Sequence, residues 1–241
     1  MAKKYNRILL KISGEALKGD GDEIYSKEFL GEICSTVKKI SASGTEVAIV
    51  VGGGNIWRGN LASKLNIQRS SGDYMGMLAT IMNATALQSY FENEGLQTRV
   101  MSAIHCNQVC EPYIQRRAIR HLEKKRIVIF AGGIGSPYFT TDTCAALRAK
   151  EINADGIFMG KNGVEGVFDD DPRKNPNAKL IKKASYQDIL VKGLKVMDAT
   201  ALGLLLDSNI DVRVFNMNDP ENAVRVVNGE DLGTLITNSK E

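Results

Sequence analysis

Short apolar runs rich in β-branched residues alternate along the chain with longer stretches in which apolar residues recur every three or four positions. The short runs predict seven β-strands, at 7–12, 46–51, 99–104, 126–131, 156–160, 212–217 and 233–237. The longer stretches predict amphipathic helices, at 28–40, 73–91, 116–126 and 142–152. In the first of these helices Phe29, Ile33, Val37 and Ile40 are spaced to share one face.

Strands that alternate with helices predict an α/β fold, with a mostly parallel sheet covered on both faces. The runs at 46–51 and 126–131 are apolar without alternation, as expected for central strands that are buried on both sides. In such sheets ligands bind beyond the carboxyl ends of the strands. Three of the loops that follow predicted strands are glycine-rich, and we expect the chemistry there.

Composition and charge narrow the functional classes. The chain has 241 residues, which is enough for one large α/β domain or two small ones. Of these residues 43% are hydrophobic and 24% are charged, an ordinary composition for a globular protein. A net charge of +3 is too small by itself to indicate a nucleic-acid or membrane partner. No window approaches the ~18 consecutive apolar residues that a membrane helix needs, so we expect a cytoplasmic protein.

The four cysteines, Cys34, Cys106, Cys110 and Cys144, form no CxxC pair. His105 lies beside two of them in the sequence, but no second ligand pair at zinc spacing follows. Reduced thiols are therefore a better interpretation than a metal site.

The first glycine-rich loop follows the strand 7–12. Lys11 lies at the end of this strand, and Ser13 and Gly14 open the turn. A lysine beside exposed N–H groups is typical of a phosphate-binding loop. An ordinary turn with a surface lysine explains the same residues equally well.

The second loop has three consecutive glycines, Gly52, Gly53 and Gly54, directly after a buried strand. Three glycines exceed what a turn requires, and bare backbone lets N–H groups approach an anion. Arg58 adds a cation that can bind a phosphate through two hydrogen bonds. Trp57 stands where a dinucleotide-binding motif needs its third glycine, so a transferring phosphate is favoured over a dinucleotide.

The third loop has three glycines after a buried strand and three polar residues before a helix, namely Gly132, Gly133, Gly135, Thr140, Thr141 and Asp142. Capping the helix would need only one of the polar residues. The others favour an anion or a polar ligand at the helix N-terminus.

Three anion-binding loops at one sheet edge predict two phosphorylated ligands in one cleft. No Ser-His-Asp or Cys-His set is evident, because His105 and His121 are the only histidines. Phosphoryl transfer needs no such set, since it depends on positioning and charge neutralisation. An acceptor that is itself a phosphate is already ionised and requires no general base.

Six motifs occur in a fixed order: LLKISGEAL, VVGGGNIWRG, GDYMGMLATIMNA, GSPYFTTDT, GVEGVFDDDP and KVMD. From about Tyr5 to Thr237 the chain resembles the bacterial UMP kinase family of the amino-acid-kinase superfamily. This resemblance implies one domain over 1–241, a three-layer αβα sandwich with a mostly parallel sheet of about eight strands. The N-terminal part would carry mainly the UMP site and oligomer contacts, and the C-terminal part mainly the ATP site.

The resemblance also implies an activity and partners. ATP would phosphorylate UMP to UDP without a covalent intermediate, with Mg²⁺ held mainly by the substrate phosphates rather than by a protein metal site. The protein would form a homohexamer, with GTP and UTP as effectors.

The site residues are implied in the same way. The catalytic residues would be Lys11, Arg58 and Asp142, with Asp142 orienting Lys11. ATP would contact Lys11, Ile12, Ser13, Gly14, Gly54, Arg58, Asn162, Phe168 and Asp171. UMP would contact Gly53, Asp73, Ile134, Gly135, Ser136, Pro137, Tyr138, Phe139, Thr140 and Thr141. Asp198 of the KVMD motif lies near the site in the family.

Several of these residues have alternative interpretations. Asp73 and Asp142 could each cap the N-terminus of a helix. The aspartates at 169–171 suggest a magnesium cage, but a turn with one adenosine contact is favoured, because Mg²⁺ usually keeps waters and substrate phosphates. Ile134 and Ser136 stand where the family often has Thr and Asn, at positions that bear on nucleotide discrimination and UTP feedback.

Two rival functions remain. Sister kinases that act on carbamate or an amino-acid carboxylate share Lys11 and the triple glycine, whereas Asp73 and the stretch 136–143 favour UMP. A nucleic-acid-binding regulator would use the basic segment 116–126. Ile114, Ala118 and Leu122 instead predict an amphipathic helix with solvated charges, and the segment lacks interleaved aromatic residues, so we expect no nucleic-acid partner.

Overall fold

The central sheet contains all the predicted strands. The computed structural model describes residues 5–19, 23–161, 163–172, 174–194 and 196–238. The strands of this part of the chain are β1 (Arg7–Ile12), β2 (Glu46–Val51), β3 (Thr98–Ser102), β4 (Glu111–Pro112), β5 (Ile127–Ala131), β6 (Gly156–Lys161), β7 (Lys183–Ala184), β8 (Asp211–Asn216) and β9 (Thr234–Ile236). The seven predicted strands are confirmed, although β3 ends two residues earlier than predicted. The edge strands β4 and β7 have two residues each, too few to form a recognisable pattern.

These nine strands of the described residues form one sheet in the order β4-β3-β5-β2-β1-β6-β8-β9-β7, one strand more than the resemblance implied. Every neighbouring pair is parallel except β8 with β9. All residues of β5 are buried, and β2 is buried except for its first residue, as expected for central strands. The mostly parallel sheet is therefore confirmed.

The helices in the described part of the chain are α1 (Lys27–Ala42), α2 (Gly59–Lys64), α3 (Arg69–Asn93), α4 (Gln115–Glu123), α5 (Thr141–Glu151), α6 (Tyr186–Val191), α7 (Ala199–Leu205) and α8 (Glu221–Val227). A short 3₁₀ helix, Gly14–Lys18, follows β1. The four predicted helices are confirmed with adjusted ends. No described helix has both the length and the apolar character needed to cross a bilayer.

Alternate residues of the strands pack into two separate cores. Leu9 of β1 lies in the core that α4, α5, α6 and α7 cover. Its neighbours Ile8 and Leu10 lie in the core that α1, α3 and α8 cover. Since successive buried side chains of the strand pack into opposite cores, helices on both faces are required, and the three-layer αβα sandwich is confirmed.

Two details of the helices correct the sequence expectations. α3 begins at Arg69, four residues before the predicted start. In α4, Ala118 and Leu122 are fully buried as predicted, but Ile114 precedes the first helical turn and is 46% exposed. Ile114 therefore does not belong to the buried face of that helix.

The sheet order brings the predicted chemistry together. β5, β2, β1 and β6 are consecutive neighbours in the sheet and run in the same direction. The loops that follow these four strands, which include the three glycine-rich loops, therefore meet at one edge of the sheet.

Candidate functional site

Lys11 and Asp142 form an ion pair at this edge. Lys11 is near the end of β1, Asp142 is in the first turn of α5, and Nζ lies 2.6 Å from Oδ1. Thr140, rather than Asp142, caps α5, since its Oγ1 accepts hydrogen bonds from the N–H groups of Asp142 and Thr143. The capping interpretation of Asp142 is thus wrong, and its carboxylate is available to hold Lys11.

Lys161 is a further cation at this edge, and it was missed by the sequence analysis. It ends β6, the strand beside β1. Burial lowers the pKa of Lys161, and the positive charge of Lys11 lowers it further, whereas Asp142 opposes the shift. Its Nζ donates to the carbonyl oxygen of Val196 at 3.2 Å. The sequence contains the same signal that identified Lys11, because Lys161 is also a lysine at the end of an apolar strand.

The glycines of the first two loops allow backbone segments to pack against each other. A Cβ on Gly14 would lie 2.6 Å from the carbonyl oxygen of Gly52 and 2.6 Å from the nitrogen of Gly54. A Cβ on Gly53 would lie 2.8 Å from the carbonyl oxygen of Gly76 in α3. Close backbone packing is therefore a reason for these glycines that is independent of any ligand.

Two polar residues of α3 hold the glycine-rich loops in place. Asn83 is fully buried, and its Nδ2 donates to the carbonyl oxygen of Gly52 at 2.7 Å. The Oγ1 of Thr80 accepts a hydrogen bond from the N–H of Gly132 at 2.9 Å. Both residues were missed, although polar side chains within an apolar helical stretch are a usable signal, because buried polar groups need partners.

Arg58 lies at the rim of the cleft and contacts two loops. Its Nη2 is 2.8 Å from Oε1 of Glu15 in the 3₁₀ helix, and its Nε donates to the carbonyl oxygen of Gly54 at 3.4 Å. The side chains of Arg58 and Glu15 are 58% and 51% exposed. The guanidinium therefore keeps donors for an anion in the cleft.

A cavity of about 370 Å³ lies between the second loop, α3 and the third loop. Of the residues expected at the UMP and ATP sites, those that line it are Gly53, Gly54, Arg58, Asp73, Ile134, Ser136, Phe139, Thr140 and Thr141. Gly135, Pro137 and Tyr138 are not among its lining residues, and the Tyr138 side chain is 64% exposed. Ile134 also packs against the core on the α5 side of the sheet.

Asp73 links α3 to the third loop. Its Oδ2 accepts a hydrogen bond from the backbone N–H of Tyr138 at 2.8 Å. Tyr138 has a φ of 72°, a left-handed conformation that is unfavourable for a tyrosine and needs such support. Because α3 begins at Arg69, Asp73 lies inside the helix, and its interpretation as an N-cap is wrong.

Asp198 connects α5 to α7. Its carboxylate accepts hydrogen bonds from the hydroxyls of Thr140 and Thr143, and it caps α7 through the N–H of Ala201 at 2.9 Å. Burial raises the pKa of Asp198, but these hydrogen bonds outweigh it and lower the pKa below its usual value. The N-terminus of α5 is thus held by Asp198 through Thr140 and Thr143, and by Lys11 through Asp142.

A larger cavity, of about 700 Å³, lies beside Lys161. Phe168 and Asp171 line it, while Asn162 falls outside the described residues. Asp169 accepts from the N–H of Lys179 at 2.7 Å, and Asp170 from the N–H of Asp171 at 2.8 Å. These contacts agree with the turn interpretation. Within the described ranges, no three His, Cys, Asp or Glu side chains are grouped to hold a metal ion.

The first-loop residues expected to contact ATP lie directly after β1. Ile12 is buried in the core on the α1 side, Ser13 is exposed, and Gly14 packs against the second loop. Arg58 and Thr141 line the smaller cavity. In the Lys11–Asp142 pair, Asp142 directly follows Thr141 in sequence, and both charges of the pair act on Lys161, which lines the larger cavity. The arrangement can bind two anionic ligands on either side of a lysine.

Known proteins share this architecture. The model of the amino acid kinase family matches residues 6–216. A uridylate kinase from Limosilactobacillus reuteri is 52% identical over 233 residues, which are 97% of this chain and 97% of that protein. The crystal structure of a UMP kinase from Bacillus anthracis has a TM-score of 0.94 at 42% identity, over 98% of this chain and 97% of that one. A UMP kinase from Ureaplasma parvum has a TM-score of 0.91 at 41% identity, over 96% and 98% of the two chains.

The family match includes β1, β2, β5 and β6, the four strands whose ends form the cleft, and the relatives share the fold over almost their whole length. The chain therefore belongs to the amino acid kinase family.

Proposed function

We propose that this protein is a UMP kinase, which transfers the γ-phosphoryl group of ATP to UMP and forms ADP and UDP for pyrimidine nucleotide synthesis. The observation that carries the proposal is the Lys11–Asp142 ion pair, in which Asp142 directly follows Thr141 of the smaller cavity and both charges act on Lys161 of the larger one. The uridylate kinase and UMP kinases to which the chain is similar support the choice of acceptor.

In this proposal the smaller cavity binds UMP and the larger one binds ATP. The backbone of the glycine-rich loops and the N-terminus of α5 offer N–H groups to phosphate oxygens. Asp73 would accept hydrogen bonds from the ribose of UMP, and Phe168 would contact the adenosine. The hydroxyls of Thr140 and Thr141 lie in the wall of the smaller cavity, near the expected position of the acceptor phosphate.

The chain contributes charge neutralisation and alignment to the transfer. The bond between the γ-phosphorus and the bridging oxygen breaks with its electrons going to ADP, and an oxygen of the UMP phosphate forms the new bond. Lys11, Arg58 and Lys161 reduce the repulsion between the two nucleotides. Asp142 keeps the Lys11 ammonium at a fixed position, so that little reorganisation accompanies the transfer.

Mg²⁺ would supply further charge neutralisation on the transferring phosphates. The residues fit an ion that is held mainly by ATP, because Asp169 and Asp170 already accept hydrogen bonds in their own turn. The chain's part is then to bind and orient the loaded nucleotide.

We also propose a homohexamer with GTP and UTP as effectors, as the resemblance implies. An exposed apolar stripe on α3 supports association, since Tyr74, Leu78 and Met82 are 44%, 48% and 53% exposed along one face. Saturation curves for UMP, measured with and without each effector, test the regulatory part of the proposal.

A panel of acceptors tests the proposed activity. The protein is incubated with ATP and Mg²⁺ and with UMP, CMP, carbamate or glutamate, and the phosphorylated products are quantified. We expect turnover to be greatest with UMP. Turnover on another acceptor with none on UMP would contradict the proposal and favour a sister kinase.

A further inference from the structure

Glu15 is a carboxylate at the rim of a cleft that binds phosphates in the proposed function. It lies in the 3₁₀ helix directly after β1, and its Oε1 is 2.8 Å from Nη2 of Arg58. A carboxylate beside bound phosphates is electrostatically unfavourable. The contact with Arg58 offers a reason for a carboxylate at this position.

Gly54 leaves room for the Glu15 side chain. A Cβ at position 54 would lie 3.2 Å from Cγ and 3.5 Å from Oε1 of Glu15. The φ angle of Gly54 is not positive, so its backbone conformation does not itself require glycine. Gly54 thus leaves space for the Glu15 side chain to lie along the second loop and contact Arg58.

The guanidinium of Arg58 is held at two points. Glu15 accepts from Nη2, and the carbonyl oxygen of Gly54 accepts from Nε at 3.4 Å. Because a guanidinium has five N–H donors, both N–H groups of Nη1 and one of Nη2 are left for an anion in the cleft. Because the guanidinium is planar, contacts at Nε and Nη2 also fix the directions of its remaining N–H groups.

The same cleft contains a second pair of this kind. Asp142 lies 2.6 Å from Lys11, just as Glu15 lies 2.8 Å from Arg58. The Glu15–Arg58 pair is exposed, and exposed ion pairs contribute little to folding stability. Glu15 therefore acts chiefly on where the positive charge of Arg58 is placed.

We propose that Glu15 is a positioning residue for Arg58. It holds the guanidinium so that its free donors face the smaller cavity, which Arg58 lines. This inference rests on the proposed function, in which Arg58 neutralises charge on the transferring phosphate. The inference adds to that function the carboxylate that aligns Arg58.

Variants at both positions test the inference in the full-length protein with ATP, Mg²⁺ and UMP. Glu15→Ala should lower kcat by about tenfold to hundredfold, because misplacing an aligned group has effects of this size. The KM for ATP should stay the same or fall, since a negative charge near the phosphates is removed. Glu15→Gln keeps an acceptor oxygen and should restore kcat to within about fivefold of wild type.

A double-mutant cycle separates positioning from a structural role. In an Arg58→Ala background, Glu15→Ala should lower kcat no further, because the group that it aligns is gone. Glu221→Ala is the matched control, since Glu221 forms an exposed ion pair with Lys39 elsewhere on the surface. This control should keep wild-type kcat, and all variants should keep the wild-type melting temperature within a few degrees.

Three results would overturn the inference while leaving the proposed function intact: wild-type kcat in Glu15→Ala, equal losses in the Ala and Gln variants, or a full additional loss in the Arg58→Ala background. Wild-type kcat in Arg58→Ala alone would overturn the role of Arg58, and the inference with it. The two failures are therefore distinguishable.

Discussion

The distribution of charge at single residues determines what the cleft can do. Lys11, Lys161 and Arg58 bring positive charge to one edge of the sheet, and each has an oxygen partner within the protein. Burial and the charge of Lys11 lower the pKa of Lys161, so an incoming phosphate would stabilise its charged form. The cations are thus arranged before the nucleotides bind.

Removing the amine of Lys11 tests its proposed role. We expect Lys11→Ala to lower kcat by ~100- to 1000-fold, as for other preorganised groups that stabilise charge in a transition state. The folded state should survive, because the Lys11 side chain contributes mainly an ion pair at the cleft. Steady-state kinetics and the melting temperature check both expectations.

The control for this variant is Lys39→Ala, which removes an amine of an exposed surface pair with Glu221. It should keep wild-type kcat. If Lys11→Ala also had near-normal turnover, the assignment of Lys11 would be refuted.

Sequence patterns identified some of these residues and missed others. Lys11 was predicted because it ends an apolar strand beside a glycine-rich turn. Lys161 ends a strand in the same way and was missed, although the Asn-Gly pair that follows it in the sequence is itself a turn signal. The capping interpretation of Asp73 was wrong because the hydrophobic pattern does not show that α3 starts at Arg69.

At the scale of elements, α3 acts as the support for the glycine-rich loops. It contacts the second loop through Gly76 and Asn83, and the third loop through Thr80. Such long-range contacts cannot be predicted from local spacing, because they depend on which elements become neighbours after folding.

The backbone packing of the second loop predicts the effect of a single methyl group. Gly53→Ala should reduce stability by about 1–3 kcal/mol, because its Cβ would lie 2.8 Å from the carbonyl oxygen of Gly76. It should also lower kcat/KM, since the loop must move away from α3. Urea unfolding and UMP kinetics measure the two effects.

Gly203→Ala serves as the opposite control. Gly203 is exposed inside α7, and its Cβ would meet no atom within 4 Å. This substitution should raise stability by about 0.5–1 kcal/mol. Equal effects of the two substitutions would show that the second loop does not pack as described.

The connection between α5 and α7 predicts a pH-dependent contribution to stability. Asp198 caps α7 and binds two threonine hydroxyls, so Asp198→Ala should lower the free energy of unfolding by about 1–2 kcal/mol at neutral pH. The pKa of Asp198 is lowered in the folded state. Its contribution is therefore full above the ordinary aspartate pKa of about 3.9 and is lost as the pH falls through the folded pKa.

Urea unfolding of wild type and Asp198→Ala over a range of pH checks this sign. The difference in the free energy of unfolding should narrow below about pH 4. Asp207→Ala, at an exposed aspartate just beyond α7, is the control and should show a much smaller difference. A difference for Asp198→Ala that grows as the pH falls would contradict the assignment.

At the scale of the whole molecule, the class of fold was predictable from the sequence and the strand order was not. Periodicity identified seven of the nine described strands and four of the eight described α-helices. The order β5-β2-β1-β6, which forms the cleft, depends on pairing between strands that are distant in sequence. The resemblance, and not the hydrophobic pattern, supplied the assignment of the two nucleotides to this edge.

The proposed homohexamer can be tested on the exposed face of α3. Leu78→Glu places a charge in the apolar stripe and should lower the molar mass measured by analytical ultracentrifugation. Val191→Glu is the control, because Val191 is 79% exposed on α6, away from this stripe, and it should keep the wild-type mass. An unchanged mass for Leu78→Glu would show that the stripe is not an interface.

A crystal structure with UMP and a non-hydrolysable ATP analogue would show directly whether the two nucleotides meet beside Lys11. We expect UMP in the cavity lined by Asp73 and Thr141, and the analogue in the cavity lined by Phe168 and Lys161. An oxygen of the UMP phosphate should lie within about 3.5 Å of the γ-phosphorus, next to Lys11. Nucleotides bound far from residues 52–58, or with their phosphates apart, would contradict this expectation.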